Sequence, residues 1–305
     1  MCSTKIPYKT TLTHLKPSTG QLRRNMTNTE NSELDKAIKG VDFWWHSIDL
    51  NGITTQGGKS KTWLQNEWLA MDVPDLKGKS VLDIGAWDGY FSFRAEKADA
   101  GSVVALDHFV WSMDRAAWGK YQKDCQKDNI KTKPVEKSGC WDPVGLPGKR
   151  GFNLAHNVLK SKVTSINRDF MQTSATDIGT FDVVFFLGVL YHMQNPLESL
   201  KKLAEFTKEI AIIETHAVEV HGHNQPLAEF YPEKELNGDP TNWWGPNLSG
   251  LIGLCKAAGF TRVEVKKGPP KLGGLRTIAK NIARVFNLPW GTRSRHYRAI
   301  VHAWK

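Results

Sequence analysis

The chain has 305 residues, of which 40% are hydrophobic and 24% are charged, and its formal net charge at pH 7 is +10. It contains no run of about 18 apolar residues and no apolar segment near the N-terminus, which argues against a transmembrane helix and a secretory signal. The four cysteines form no CxxC pair, so we predict neither a metal site nor a disulfide framework, and we expect a cytoplasmic protein.

The positive charge is concentrated at the two ends of the chain. Residues 1–25 carry five basic side chains and residues 265–305 carry ten, with no acidic side chain in either segment. The segment between them carries 26 basic side chains against 31 acidic ones. Because residues 1–25 show no hydrophobic periodicity, Met26 is a candidate start of the protein, and a targeting segment is the alternative.

Three regions follow one another along the sequence. Residues 1–38 are polar and are predicted to be disordered. Residues 39–78 are rich in phenylalanine and tryptophan, and we interpret them as an N-terminal cap that packs its aromatic rings against the next domain. Residues 79–305 form the predicted catalytic domain.

Short apolar strands alternate with helices in this domain, which predicts an α/β fold with a mostly parallel sheet and helices on both faces. The predicted strands are Ser80–Ile84, Val103–Leu106, Phe181–Leu187, Ile210–Glu214, Thr261–Val265 and Arg298–Ala303. The predicted helices are Tyr90–Lys97, Pro196–Lys208 and Leu248–Ala258. Insertions at about 111–160, 216–247 and 267–297 are expected at the carboxyl edge of the sheet, where such folds bind ligands.

A glycine turn after the first strand of the domain is the strongest local motif. The sequence VLDIGAWDG contains Gly85 and Gly89, which permit a tight turn and a close approach of the backbone to a ligand. Asp107 ends the next strand, at a position where related folds bind ribose hydroxyls. With Asp83 available for an amino group, these residues predict a nucleoside ligand without a pyrophosphate, and S-adenosylmethionine fits. The alternative is a purely structural turn.

A second motif, FDVVFFLGVLYH at residues 181–192, leads to a known family. Together with VLDIGAWDGYFSF, VVALDHF and AIIETHAV, it resembles class I S-adenosylmethionine-dependent methyltransferases, in particular the tRNA wobble-uridine methyl/carboxymethyltransferase family. The resemblance covers about residues 41–305 and implies a Rossmann-like fold. Ala86, Trp87 and Asp88 replace the Gly-Cys-Gly pattern of that family, so the chain resembles a divergent member.

The resemblance implies roles for individual residues. The cofactor would be contacted by Asp83, Gly85, Gly89, Asp107, Asp169, Phe170, Leu187 and Gly188, with Asp177 as the alternative to Asp169. Tyr191 would stand at the reacting end of the cofactor, and Arg298 matches an arginine of the family. His46 takes the place of a lysine that members using carboxy-S-adenosylmethionine draw from the cap. Because a neutral imidazole holds a carboxylate less well, we expect ordinary S-adenosylmethionine.

Methyl transfer to a hydroxyl benefits from a base that removes the hydroxyl proton. His192, Glu214 and His216 are the candidates, since all are predicted just after strand ends on the ligand side. Structural alternatives remain: His192 could cap the following helix, and Glu214 could position the cofactor cap or Arg298. A metal site formed by His216 with His221 and His223 is the less favoured hypothesis.

Residues 272–288 have the spacing of an amphipathic helix with a basic stripe formed by Arg276, Lys280 and Arg284. The stripe could contact the phosphates of an RNA substrate, lie on an anionic membrane, or be a solvated face. We therefore predict O-methylation, with a hydroxylated wobble uridine of tRNA as the first acceptor. A small-molecule, sugar or lipid hydroxyl is the alternative, and an inactive methyltransferase-like binding module is the third hypothesis.

Overall fold

The computed structural model describes residues 28–220, 225–270 and 294–305. A cap of two helices and a small hairpin comes first in the described part of the chain. Its elements are α1 (Asn28–Lys39), β1 (Asp49–Leu50), β2 (Ile53–Thr54) and α2 (Lys61–Met71). The predicted disorder is wrong for residues 28–38, because α1 buries Leu34 and Ile38 in the core. Because most helices in proteins are stabilised by tertiary packing rather than by propensity, these two apolar side chains, one helical turn apart, are enough to hold α1 in place.

The catalytic domain follows with nine strands and seven helices in its described residues. The strands are β3 (Ser80–Ile84), β4 (Ser102–Asp107), β5 (Thr164–Asn167), β6 (Phe181–Leu187), β7 (Thr207–Glu219), β8 (Ala228–Phe230), β9 (Trp244–Pro246), β10 (Arg262–Lys267) and β11 (Arg295–Trp304). The helices are α3 (Tyr90–Lys97), α4 (Phe109–Ser112), α5 (Arg115–Lys127), α6 (Arg150–Leu159), α7 (Ala175–Ile178), α8 (Pro196–Phe206) and α9 (Leu248–Ala257).

Seven of these strands form one sheet in the order β10-β11-β7-β6-β3-β4-β5. Strands β3 to β7 are parallel, whereas β11 runs antiparallel to both β7 and β10. The chain moves outward from β3 through β4 to β5 and then returns to β6 on the other side of β3. The carboxyl ends of β3 and β6 therefore border the crevice in which such sheets bind ligands.

The central strands are buried on both faces. Along β6, Val183 and Phe185 belong to one hydrophobic cluster, while Val184 and Phe186 belong to the other. This alternation is expected for a parallel sheet covered by helices on both sides, and it explains why β6 is almost continuously apolar. None of the helices in the described ranges is long and apolar enough to cross a membrane.

Strand β7 is longer than predicted. It begins at Thr207, where a helix was expected to continue to Lys208, and it extends to Glu219 instead of Glu214. Its antiparallel partner β11 accounts for the extension, because the ladder runs without interruption to the pair between Glu219 and Arg295. His216 therefore lies inside a strand, not in the insertion that was predicted to begin there.

Candidate active site

The turn between β3 and α3 needs glycine at two positions. Gly85 and Gly89 have φ angles of 77° and 82°. A Cβ atom on Gly85 would lie 2.7 Å from Cγ2 of Val189, and one on Gly89 would lie 2.7 Å from the rings of Phe93 and Phe152. The backbone of the turn therefore comes to the carboxyl edge of the sheet at the start of α3, where free N–H groups favour a polar or anionic ligand group.

Asp107 ends β4 beside this turn. Its carboxylate accepts hydrogen bonds from the backbone N–H groups of Trp87, at 3.0 Å, and Val110, at 3.2 Å. Burial raises the pKa of Asp107, although these hydrogen bonds lower it. A carboxylate has about four acceptor positions, so Asp107 can still accept from the hydroxyls of a ribose.

Asp83 lies on β3 and accepts a hydrogen bond of 2.5 Å from the hydroxyl of Ser92. Burial raises the pKa of Asp83 to about 7. A carboxylate whose charge is costly when unpaired favours a cationic ligand group, since an ammonium restores the pairing. This environment fits the amino group of S-adenosylmethionine.

Asp88 connects the cap to the glycine turn, and the sequence analysis missed this role. Its Oδ2 atom accepts hydrogen bonds from the backbone N–H groups of Trp45, at 2.6 Å, and His46, at 2.8 Å. The ring of Trp45 also stacks on that of Trp87, with centroids 4.9 Å apart and planes 9° apart. Burial raises the pKa of Asp88 to about 7. The signal available in the sequence was an acidic residue inside the turn, preceded by a tryptophan-rich segment.

The residues that follow β5 include two acidic side chains, Asp169 and Asp177, and only one of them is free for a ligand. Asp169 accepts a 2.7 Å hydrogen bond from the N–H of Met171 and begins a short 3-10 turn over residues 170–172. The ring of Phe170 packs on Phe186, so the backbone is the part of Phe170 available to a ligand. Asp177 closes a capping box at α7, which gives the competing acidic residue a structural function and favours Asp169.

Four predicted residues converge at the carboxyl end of β6, beside the middle of β7. Gly188 has a φ angle of 74°, and a Cβ atom there would lie 3.4 Å from Nη2 of Arg298. The same position is 3.9 Å from Oε2 of Glu214 and 3.9 Å from the hydroxyl of Tyr191. The Arg298 guanidinium carbon also lies 4.7 Å from the centroid of the Tyr191 ring. Leu187, the residue before Gly188, ends β6 and pairs with Glu214.

Arg298 donates two hydrogen bonds to the carboxylate of Glu214. The side chain of Glu214 is only 2% exposed, whereas that of Arg298 is 34% exposed. Burial lowers the pKa of Arg298, but the neighbouring Glu214 carboxylate raises it by more, so the net shift is upward. Glu214 therefore positions Arg298, and a carboxylate held in this way is not available as a base.

His192 does not cap the following helix. Its Nδ1 atom lies 3.0 Å from the carbonyl oxygen of Thr241 and 3.0 Å from the Thr241 hydroxyl, so it fastens the GVLYH segment to the chain before β9. Burial lowers the pKa of His192. The backbone N–H of Trp243 donates to the carbonyl of Tyr191 at 2.8 Å and reinforces this connection.

His46 is buried in the cap between the rings of Tyr90 and Phe91. Burial, and then the charge of Lys59, hold the pKa of His46 well below its usual value. The imidazole is therefore neutral at pH 7. The predicted basic stripe of Arg276, Lys280 and Arg284 lies outside the described residues.

A family model described as a methyltransferase domain matches residues 66–265, more than half of the chain. The chain belongs to this methyltransferase domain family. The methyltransferase is 25% identical over 207 residues to the tRNA U34 carboxymethyltransferase of Desulfotalea psychrophila, a match that covers 66% of this chain and 52% of that protein. It is 27% identical over 238 residues to the tRNA U34 carboxymethyltransferase of Ectopseudomonas mendocina, covering 76% and 60%. The methyltransferase thus spans about half the length of the curated relatives it matches.

The fold of the methyltransferase is similar to that of the N-terminal domain of EvdMO1 with SAH bound. The TM-score is 0.51 at 15% identity, over 90% of this chain and 96% of that one. The sheet order, the family match and this likeness confirm the predicted class I methyltransferase fold. The family match likewise confirms the prediction of a methyltransferase domain.

Proposed function

We propose that the enzyme methylates a hydroxyl oxygen, and that the acceptor is a hydroxylated wobble uridine of tRNA. The observation that carries this proposal is the convergence of Tyr191, Arg298 and Glu214 on Gly188, beside the Gly85 turn. A phenol and a compensated guanidinium can hold an uncharged hydroxyl by hydrogen bonds without requiring a charged acceptor.

The residues of the chain fit S-adenosylmethionine, which supplies a methyl carbon bound to a positively charged sulfur. Asp107 would hold the ribose hydroxyls, Asp83 would hold the amino group, and Asp169 and the backbone of Phe170 would contact the adenine. Gly85 and Gly188 keep side chains out of the crevice, where a Cβ atom would meet Val189 and Arg298, respectively. The contribution of these residues to the rate is the alignment of donor and acceptor.

The charges around the site favour methyl over carboxymethyl transfer. Arg298 is compensated by the buried Glu214, and Lys59 in the cap forms 2.8 Å hydrogen bonds with both oxygens of Glu67. His46, in the place of the lysine of carboxymethyl-transferring members, is neutral. The extra carboxylate of carboxy-S-adenosylmethionine would meet no uncompensated cation among these groups, and its desolvation would cost affinity.

The proposal that tRNA is the acceptor rests on the similarity to tRNA U34 carboxymethyltransferases and on an aromatic surface beside Tyr191. In the hairpin β8–β9, the ring of Phe230 is 51% exposed and lies 4.7 Å from the ring of Trp244 and 6.4 Å from that of Trp243. Stacking of an unpaired base on an aromatic side chain contributes roughly 1–3 kcal/mol. An anticodon loop offers such bases next to the modified position.

Label transfer tests the donor and the acceptor together. The enzyme is incubated with methyl-labelled S-adenosylmethionine and tRNA that carries 5-hydroxyuridine at the wobble position, and we expect label in that nucleoside after digestion. Asp107→Ala should abolish transfer and cofactor binding, whereas the matched control Asp177→Ala should retain both. In a parallel reaction, monosaccharides replace the tRNA. Label in the monosaccharides but not in tRNA would refute the tRNA acceptor. Efficient transfer from carboxy-S-adenosylmethionine would refute the preference for methyl transfer.

A further inference from the structure

A chain of hydrogen-bonded side chains lies beside Arg298, between β7, β8 and β11. The hydroxyl of Tyr231 donates a 3.0 Å hydrogen bond to Oε2 of Glu229. The same hydroxyl oxygen is 3.1 Å from Nε2 of His216. His296 approaches from β11, with its Nδ1 atom 3.2 Å from Nε2 of His216 and its Nε2 atom 3.6 Å from Glu229. We call these four residues the relay.

The donors and acceptors of the relay fit one tautomer of His216, with the hydrogen on Nε2. Tyr231 has one proton and gives it to Glu229, so its oxygen can only accept from His216. A hydrogen on Nε2 of His216 satisfies this acceptor and leaves Nδ1 with a free lone pair. An imidazole held in one tautomer by a tyrosine and a carboxylate is oriented to accept a proton at the other nitrogen.

The sheet brings His216 to the convergence point. His216 pairs with Arg298 across the antiparallel ladder, and Glu214, two residues earlier on β7, points to the same face. The rings of His216 and Tyr191 are 6.3 Å apart. Gly245 on β9 leaves space for the relay, since a Cβ atom there would lie 2.5 Å from the Tyr231 hydroxyl and 3.1 Å from Cδ2 of His216.

We propose that His216 is the catalytic base that takes the proton of the acceptor hydroxyl, and that Tyr231 and Glu229 position it. This inference rests on the proposed hydroxyl acceptor. The acceptor oxygen forms a bond to the methyl carbon while its proton moves to Nδ1 of His216, and the electron pair of the broken methyl–sulfur bond stays on sulfur. The Nδ1 proton of His216 leaves to water when the product departs, which restores the resting tautomer.

Burial and the charges that face His216 keep it unprotonated in the resting enzyme. Burial, followed by the charges of His296 and Arg298, lowers the pKa of His216 to about 4, against the opposing effect of Glu229 and Glu214. Burial and Glu229 raise the pKa of Tyr231, so this phenol keeps its proton at neutral pH. His216 is therefore unprotonated in the resting enzyme and loses its function only when acid protonates Nδ1.

Transfer rates distinguish a base from a structural histidine. With S-adenosylmethionine and the hydroxyuridine tRNA, we expect His216→Gln to reduce kcat by roughly 100-fold or more, a typical effect of losing a general base, with cofactor affinity unchanged. Tyr231→Phe should reduce kcat by about 10-fold and move the acid limb of the pH–rate profile, because the tautomer is no longer held. Tyr121→Phe, which removes a hydroxyl in the insertion, is the control. A kcat of His216→Gln within threefold of the wild type would overturn the proposal.

Nitrogen-15 NMR of the histidine rings tests the relay independently of the acceptor. We expect His216 to be the Nε2–H tautomer from pH 6 to 8 and to become a mixture of tautomers in Tyr231→Phe. If the wild type labels no tRNA, the proposed function has failed, and this spectrum decides the relay alone. A pure Nε2–H tautomer then supports it, and an Nδ1–H tautomer overturns it.

Discussion

Replacement of Asp88 by alanine is expected to loosen the cap from the glycine turn. Asp88 is fully buried, and one of its oxygens accepts the backbone N–H groups of Trp45 and His46. Alanine would leave both donors buried without an acceptor, at a cost of roughly 1–3 kcal/mol each, so the free energy of unfolding should fall by about 2–6 kcal/mol. Asp88→Asn retains an acceptor oxygen and should cost about 1 kcal/mol.

The loss caused by Asp88→Ala should depend on pH in a defined direction. Because burial raises the folded-state pKa of Asp88 to about 7, its contribution to stability is fully present below the unfolded pKa of about 3.8 and declines as the pH rises through 7. The wild type then bears the cost of a buried charge that the alanine variant lacks. The difference in unfolding free energy should therefore be larger at pH 6 than at pH 8.

Urea unfolding followed by tryptophan fluorescence measures this difference. The matched control is Asp142→Ala, because Asp142 also accepts two backbone hydrogen bonds, from Val144 and Gly145, but at an exposed site. Water can replace that carboxylate, so the control should lose less than about 1 kcal/mol. An Asp88→Ala variant as stable as the control, or a loss that grows from pH 6 to pH 8, would refute the reasoning.

Three further predictions concern the turn, the cofactor and the cap. Gly89→Ala should destabilise the fold by about 1–3 kcal/mol more than Gly139→Ala, because Gly139 has a similar φ of 81° but open space around it; equal thermal midpoints would contradict this. The affinity for S-adenosylmethionine, measured by calorimetry, should rise as the pH increases through about 7, where Asp83 ionises, and Asp83→Asn should lack this dependence. Glu67→Gln should lower the free energy of unfolding by about 3 kcal/mol, because it leaves Lys59 uncompensated in a mostly buried position; a urea midpoint like that of the wild type would exclude this role.

The sequence by itself determined the alternation of strands and helices and the position of the glycine turn. These features follow from local rules: continuous apolar runs such as Phe181–Leu187 become buried parallel strands, and glycines at 85 and 89 permit a turn that other residues resist. The place of Asp107 beside this turn follows for the same reason, since it ends the next strand; its ribose role stays a prediction.

Only the tertiary structure decided which polar side chains meet. The pairing of β7 with β11 brings Arg298 opposite His216 and joins Arg298 to Glu214, although the sequence separates these partners by more than 80 residues. The attachment of the cap to Asp88 likewise spans more than 40 residues. Strand register and the docking of the cap depend on packing between distant segments, and no local pattern of residues encodes either of them.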